Sequence, residues 1–216
     1  MRKQKHGVTE WQVDKAWAGY TIFCPQMISP KQLEGRKESY VYLLDMKGDI
    51  VHHWVIPGVV KLHGELLPNG NLLCSVDEKH VKNPLGLVFA VSSIMELDWD
   101  SNVVWRYEDP YHDCHDRCRL RNGNTLYMRY VPLSAEKQAK VQGGMPGTEH
   151  QGQMFTLVLT EITKEGQIVD EMDLSEVLDA DVDIITPYGT RELWPGLNSI
   201  EEMPDGKIVS TSYHLS

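Results

Sequence analysis

Residues 111–126 read YHDCHDRCRLRNGNTL, and this stretch decides how we interpret the chain. Histidines, acids, arginines and thiols fill its first half. The second half contains Asn122-Gly123, a strong signal for a tight β-hairpin. The residues that follow, TLYM, have the β-branched and aromatic content of a strand. The stretch therefore predicts polar side chains at the start of a strand that leads into a hairpin.

The same layout occurs earlier, in residues 62–73, which read LHGELLPNGNLL. Each copy is preceded by a further hairpin pattern, in residues 40–54 and 93–107. The spacing between the two copies is constant, because 53 positions separate each of the pairs Asp45 and Asp98, Val51 and Val104, and Asn69 and Asn122. A shared offset across two hairpins indicates a four-stranded repeat, which is the unit of a β-propeller blade.

A third, looser copy occupies residues 157–169 and 198–212, where Pro204-Asp205-Gly206 matches Pro68-Asn69-Gly70. Two insertions set it apart, at residues 132–150 and 173–195. Each begins with a helix-prone run, SAEKQAK in the first and LSEVL in the second. Insertions on a repeat scaffold often lie on its binding face, so both are expected to border a site.

These patterns predict an all-β fold, a β-propeller with about three four-stranded blades of a six-bladed ring. The expected organisation is an N-terminal arm over residues 1–18, then a partial propeller over 19–216 with blades at roughly 40–92, 93–154 and 155–216. Three blades cannot close a ring. The remainder is therefore expected to be missing from this chain, or to come from a second copy or another chain.

Composition limits the classes of partner. The net charge of −10 argues against nucleic acid and anionic membranes. No apolar run approaches the roughly 20 residues of a spanning helix, and no hydrophobic segment follows the basic N-terminus. Four cysteines in 216 residues do not indicate a disulfide scaffold. We therefore expect a soluble, cytoplasmic protein, or a periplasmic one if a signal peptide has been removed.

The ordered set of hairpins resembles the arylsulfotransferase-like β-propeller family. The pieces that carry the resemblance are GYTIF at 19–23, YLLDMKGDIVHHW at 42–54, ELLPNGNLL at 65–73, the residues from His115 through the Asn122-Gly123 turn, and 198–210. It covers the chain beyond the arm, and about half of such a propeller. It implies transfer of a sulfuryl group from an aryl sulfate to a phenol through a histidine, with no cofactor.

The resemblance also implies the site residues. A histidine at the start of an inner strand matches His115 and, one position out of register, His63. Arg129, just past the same hairpin, is the expected anion clamp, and these three are the predicted catalytic residues. A neutral imidazole is a competent nucleophile, and a guanidinium stabilises charge on sulfate oxygens. The insertions add His150, Tyr188 and Arg191 as predicted substrate-binding residues.

Alternatives stay open. Both histidines could instead be polar strand-end residues bonded to backbone carbonyls. A ring of histidines could hold one divalent metal at the propeller centre, which would suit a metal-assisted lyase or hydrolase acting on a small aromatic or anionic substrate. His112, Cys114, His115 and Cys118 crowd together, but their spacing matches no zinc signature, so no metal residue is predicted. A non-catalytic binding propeller is the third possibility. The expected partners are a small aryl substrate and a second copy or chain.

Overall fold

The computed structural model describes residues 8–25, 38–78, 81 and 84–215. The chain divides into two compact units. Unit 1 comprises Met1–Lys79 with Ile94–Arg106, and unit 2 comprises His80–Ser93 with Tyr107–Ser216. The division falls inside the second predicted blade, and the predicted blade limits remain predictions.

Unit 1 is built from antiparallel strands. A three-stranded sheet has the order β1 (Thr21–Phe23), β2 (Glu38–Leu44) and β3 (Ile50–Pro57). Strands β4 (Val59–Leu66) and β5 (Leu72–Asp77) form a second antiparallel pair. Apolar side chains of these strands form one core, which includes Val41, Trp54, Ile56 and Leu72, and Met95 from the segment Ile94–Arg106 joins it.

Two strands run from one unit into the other, β6 (Ala90–Leu97) and β7 (Val103–Arg119). The remaining strands belong to unit 2: β8 (Thr125–Pro132), β9 (Gly143–Met145), β10 (Phe155–Ile162), β11 (Ile168–Asp173), β12 (Ile185–Thr190), β13 (Leu197–Glu202) and β14 (Ile208–Ser212).

In unit 2, strands β7, β8, β10 and β11 lie side by side in that order, each antiparallel to the next. Strands β13 and β14 form a separate hairpin, and β9 pairs with β12 in parallel. The main core of this unit lies on β8 and β10, with Met128, Tyr130, Phe155 and Leu157 among its buried members. The predicted all-β class is therefore confirmed.

Two short helices occur among the described residues, and each lies in one of the predicted insertions. Helix α1 (Ala135–Lys140) begins at Ser134, whose hydroxyl accepts a hydrogen bond from the Lys137 N–H. Helix α2 (Leu174–Val177) begins at Asp173, whose carboxylate accepts from the Ser175 N–H at 2.8 Å. Neither helix in the described part of the chain has the length and apolar character needed to cross a membrane.

Six hairpin turns share one hydrogen-bond pattern. In each, the N–H of the first residue donates to the carbonyl of the fifth, and the N–H of the fourth donates back to the first. The fourth residue has a positive φ, which is why it is glycine in five of the six turns. The turns begin at Asp45, Leu67, Asp98, Leu120, Thr163 and Met203.

These turns alternate between two kinds along the chain. In the first kind the side chain of the first residue accepts backbone N–H groups, as at Asp45, Asp98 and Thr163. In the second kind the third residue does so, as at Asn69, Asn122 and Asp205. The alternation shows three consecutive copies of a two-hairpin unit, as the repeat spacing predicted.

A bulge explains why His115 falls one position out of the repeat. On β7, Asp113 pairs with Met128 and Arg117 pairs with Tyr127, so three residues lie between adjacent pairs. On β4 the same interruption, between Lys61 and Gly64, holds two residues. The second copy therefore carries one extra residue in its bulge, and an ungapped register misaligns the two histidines.

The predicted N-terminal arm is only partly described. Residues 1–7 of this prediction lie outside the described residues. Between residues 8 and 18 a single turn forms, in which the N–H groups of Lys15 and Ala16 donate to the Gln12 carbonyl at 3.0 Å.

Candidate functional site

A cavity of about 260 Å³ lies within unit 2. Its polar lining comes from His115, Tyr130, Thr190, Glu192, Tyr213 and His214. Its apolar lining comes from Leu87, Val88, Phe89 and Leu193. An apolar hollow with a few convergent polar groups has the usual make-up of a small-molecule site, although this one is small.

His115 enters the cavity from the β7 bulge, and Asp113 holds it there. Oδ1 of Asp113 accepts the His115 backbone N–H at 2.7 Å and lies 2.6 Å from Nδ1 of the His115 ring. Asp113 is fully buried, and the His115 side chain is 12% exposed. One carboxylate oxygen therefore fixes both the backbone and the ring of the histidine.

A ring contact and a backbone hydrogen bond also hold His115 in place. The Phe89 ring packs against the imidazole with centroids 4.5 Å apart. The Cys114 N–H donates to the Phe89 carbonyl at 2.9 Å, which ties the bulge to the segment before β6. The bulge is thus anchored on both sides of His115, so its imidazole has a defined direction.

The hydrogen bond to Asp113 assigns the two ring nitrogens. A carboxylate only accepts, so Nδ1 carries the proton when the ring is neutral. Nε2 then holds the lone pair, and it has no hydrogen bond to any described residue in the structure. His115 therefore lines the cavity with Nε2 as its unprotonated ring nitrogen whenever the ring is neutral.

The Asp113 carboxylate also contributes to raised pKa values at two tyrosines. Burial and then the negative charge of Asp113 raise the pKa of Tyr130 well above its usual value. Burial, Asp113 and Glu192 raise the pKa of Tyr213 to about 12. Both phenols therefore stay protonated at neutral pH and can act as hydrogen-bond donors. The Tyr213 ring centroid lies 6.3 Å from that of His115.

His214 is a second imidazole on the cavity wall. Its Nδ1 lies 3.1 Å from the Leu193 carbonyl oxygen. Burial lowers the pKa of His214, and the neighbouring His115 lowers it further. Gly196 makes room for this ring, because a Cβ there would lie 2.7 Å from Nδ1 of His214. His214 is thus a neutral, fixed side chain at neutral pH.

Glu192 supplies the negative charge on the cavity lining. Its side chain is 39% exposed, and Oε1 lies 3.4 Å from Nδ1 of His150. Nε2 of His150 in turn lies 2.9 Å from the Leu85 carbonyl oxygen. The predicted substrate-binding residue His150 therefore contacts a cavity residue, although it does not line the cavity itself.

The other predicted site residues lie elsewhere. His63 is exposed on β4 in unit 1. Arg129 on β8 faces Asp109, with Nε 2.8 Å from Oδ2, and its guanidinium carbon lies 5.3 Å from the centroid of the Tyr111 ring. Neither lines the cavity around His115. Their predicted catalytic roles remain predictions.

The second insertion places its two predicted residues differently from each other. Tyr188 is 89% exposed. Arg191 is held by its own segment, since Nε donates to Glu149 at 2.8 Å and the guanidinium also donates to the carbonyls of Gly143 and Val141. Arg191 therefore joins the two insertions to each other, and its predicted contact with substrate remains a prediction.

A second polar group lies along β7 and β8, beyond the cavity lining. The Tyr127 hydroxyl donates to Asp109 at 2.8 Å, and Nδ1 of His112 lies 3.2 Å from the Met128 carbonyl oxygen. His112 is completely buried, which lowers its pKa to about 4. It is an uncharged core residue at neutral pH.

The described residues do not supply the ligand set that the metal alternative needs. Across residues 8–25, 38–78, 81 and 84–215, no three His, Cys, Asp or Glu side chains lie close enough together to hold a metal ion. None of the four cysteines forms a disulfide.

Comparisons with known proteins give no functional name. No protein-family model matches the chain. No curated protein matches it either. One solved structure similar to this chain is a protein of unknown function from Bacteroides caccae. It shares 16% identity, with a TM-score of 0.39 over 82% of this chain and 46% of that one. The chain thus spans about half the length of that protein.

Most of the cavity residues were not singled out from the sequence. Asp113 could have been, because it stands two positions before His115 and alternate strand residues share a face. Tyr213 and His214 could not be linked to His115 from the sequence, since they lie about a hundred positions later, just after β14. Glu192 lies in the second insertion, outside its helix and its strand, where no periodicity gives a direction.

Proposed function

We propose that this protein is an enzyme of the hydrolase or lyase class that uses His115 as a general base on a small aromatic substrate. The observation that carries the proposal is the 2.6 Å contact between Nδ1 of His115 and Oδ1 of the fully buried Asp113. A buried carboxylate behind an imidazole is the arrangement that orients a catalytic histidine and stabilises its protonated form.

The proposed chemistry is a proton transfer. Nε2 of His115 takes a proton from a water molecule or from the substrate, and the resulting imidazolium is stabilised by Asp113. The Tyr213 hydroxyl, kept protonated by its raised pKa, donates a hydrogen bond to the negative charge that develops on the substrate. The low exposure of His115 and Asp113 strengthens the interaction between them.

Aromatic esters test this proposal, with 4-nitrophenyl acetate as the first probe. We expect His115→Gln to lower the rate by about 100-fold or more, since that is the usual contribution of a general base. His53→Gln, on an exposed strand position in unit 1, is the matched control and should keep the wild-type rate. Hydrolysis that does not depend on His115 would contradict the proposal.

Sulfuryl transfer is a second candidate, favoured by the lone pair that Nε2 of His115 directs at the cavity. In that reaction Nε2 would attack the sulfur of an aryl sulfate. The S–O bond to the aryl group breaks, and the aryl group leaves as a phenolate, which takes a proton from water. The oxygen of a phenolic acceptor then attacks the sulfur, the N–S bond to Nε2 breaks, and the acceptor's proton passes to water. Incubation with 4-nitrophenyl sulfate and phenol tests this, and a His115 adduct 80 mass units heavier, roughly one SO₃, would favour it over the general-base reaction.

The repeat architecture supports a finer fold proposal. We propose that the three copies of the two-hairpin unit are blades of a β-propeller. The alternation of two turn types along the chain supports this, since a blade contains two hairpins. We further propose that a second copy or another chain completes the ring. The native mass of the purified protein tests the assembly, because a single-chain mass would contradict it.

A further inference from the structure

The lining of the cavity around His115 contains a carboxylate but no lysine or arginine. That carboxylate belongs to Glu192, which is the charged side chain among the lining residues. Behind the lining lies Asp113, a second carboxylate, which is fully buried. The charged side chain of the lining and the buried carboxylate behind it are therefore both negative.

His214, an imidazole of the cavity lining, has a pKa lowered by burial and adds no positive charge at mildly alkaline pH. His150 contacts Glu192 at 3.4 Å, and its side chain is 23% exposed. Burial, and then the charges of Asp113 and Glu192, raise the pKa of Tyr213, so its phenol stays neutral beside these carboxylates.

The mouth of the cavity is aromatic. Phe89 and Tyr213 both line it and are partly exposed, at 38% and 46%. The face of an aromatic ring attracts a cation, and more strongly where water is excluded. The net charge of −10 adds a long-range attraction for cations over the whole chain.

We infer that this cavity selects a small organic cation, an amine attached to an aromatic or branched apolar group. The ammonium lies near the Glu192 carboxylate, and the apolar part packs against Phe89 and Tyr213. The inference rests on the proposed function in using the same cavity and names its substrate class. Binding itself does not require turnover, so the two can fail separately.

Three ligands of nearly equal size test the inference: benzylamine, benzyl alcohol and benzoate. Their dissociation constants are measured by NMR titration on the full chain at pH 8, where free imidazoles are neutral and the amine and carboxylates are charged. We expect benzylamine to bind about tenfold more tightly than benzyl alcohol, the sum of a cation–π and a partly exposed ion-pair contribution. Benzoate should bind most weakly.

Two glutamate variants test whether Glu192 causes the preference for benzylamine. Glu192→Gln should reduce the preference for the amine over the alcohol, because it removes the ion pair and leaves the aromatic rings. Glu165→Gln removes the same charge from an exposed hairpin turn of the same unit and should leave the preference unchanged. Equal binding of the amine and the alcohol, tighter binding of benzoate, a preference that Glu192→Gln does not reduce, or no benzylamine binding at millimolar concentration would each overturn the inference.

His115→Gln separates this inference from the proposed function. The variant should keep the preference for benzylamine, because the side chain that supplies the charge is Glu192. An amine preference without any His115-dependent turnover would defeat the proposed function alone. Turnover that depends on His115, without an amine preference, would defeat the cation inference alone.

Discussion

Oδ1 of Asp113 holds both the backbone N–H and the ring Nδ1 of His115, at 2.7 and 2.6 Å. Because one oxygen makes both contacts, an amide oxygen can take its place. We therefore predict that Asp113→Asn keeps the Nδ1–H form of the ring but loses the charge that stabilises an imidazolium. Its rate with a His115-dependent substrate should fall by about 100-fold.

Long-range ¹H–¹⁵N NMR at pH 8 checks this prediction. Wild type and Asp113→Asn should both show a protonated Nδ1 at His115. Asp113→Ala, which removes the acceptor, should show a mixture of the two tautomers. A wild-type ring protonated at Nε2 would contradict the assignment of the basic nitrogen.

The buried His112 predicts a pH dependence of stability. Its pKa in the folded protein is about 4, against 6.5 in an unfolded chain, so the unfolded state binds more protons between these values. Stability is therefore fully present above about pH 6.5 and falls as the pH approaches 4, by about 3 kcal/mol from this group. Asp109, Asp113 and Arg117 surround it and contribute smaller effects.

Urea unfolding of wild type and His112→Gln between pH 7.5 and 4 measures this effect. The free energy of unfolding of the variant should depend less steeply on pH in this range, by up to one proton. His53→Gln, at an exposed position, should follow the wild-type curve. Parallel curves for wild type and His112→Gln would show that the group is not an uncharged core residue.

Gly123 gives a clean test of the turn geometry. Its φ is +89°, yet a Cβ there would meet no atom within 4 Å. Gly123→Ala should therefore destabilise the fold by about 1 kcal/mol through backbone strain alone, and Gly123→Asn by less. Gly19 is the matched control, since it also has open space but no positive φ, and Gly19→Ala should be neutral or slightly stabilising. Thermal denaturation of the three variants measures the difference.

Arg191 is predicted to support the insertions. Arg191→Lys keeps the charge but cannot bridge Glu149 and the carbonyls of Gly143 and Val141 together. We expect faster amide hydrogen exchange over residues 141–149 and unchanged exchange in the hairpin of β10 and β11. Unchanged exchange over 141–149 together with weakened ligand binding would favour the substrate contact predicted from the sequence.

The hairpins could be predicted because turn chemistry is local. An aspartate or asparagine that accepts nearby N–H groups, and a glycine at the left-handed position, determine each turn within five residues. Asp45 and Asn69 repeat at Asp98 and Asn122 for this reason, and the helices of the insertions were equally visible in the helix-prone runs SAEKQAK and LSEVL. The two kinds of turn needed no long-range information.

The bulge on β7 could not be predicted from the constant spacing of 53 positions between the two repeat copies. Residues 114–116 fall between two consecutive β7–β8 residue pairs, and nothing local distinguishes a three-residue bulge from the two-residue one on β4. The bulge nevertheless decides which side chain enters the cavity. An ungapped comparison therefore set Asp116 against His63, while His115 is the residue that lines the cavity.

The rest of the cavity depends on contacts distant in sequence. Arg129 was chosen for its proximity to the hairpin, but its cross-strand partner is His112, and its ion pair is with Asp109. Tyr213 reaches the cavity from the far end of the chain. Such pairings follow from the tertiary packing of unit 2 and leave no periodic signal in the sequence.

The reactivity of His115 toward diethyl pyrocarbonate tests whether Nε2 is its basic ring nitrogen, and the measurement needs no knowledge of the substrate. The reagent acylates an unprotonated imidazole nitrogen, and peptide mass spectrometry gives a rate for each histidine at pH 8. We predict that His115, although mostly buried, is acylated faster than the exposed His53, and that Asp113→Ala removes this difference in rate. A His115 that reacts no faster than His53 would contradict a basic Nε2 directed at the cavity.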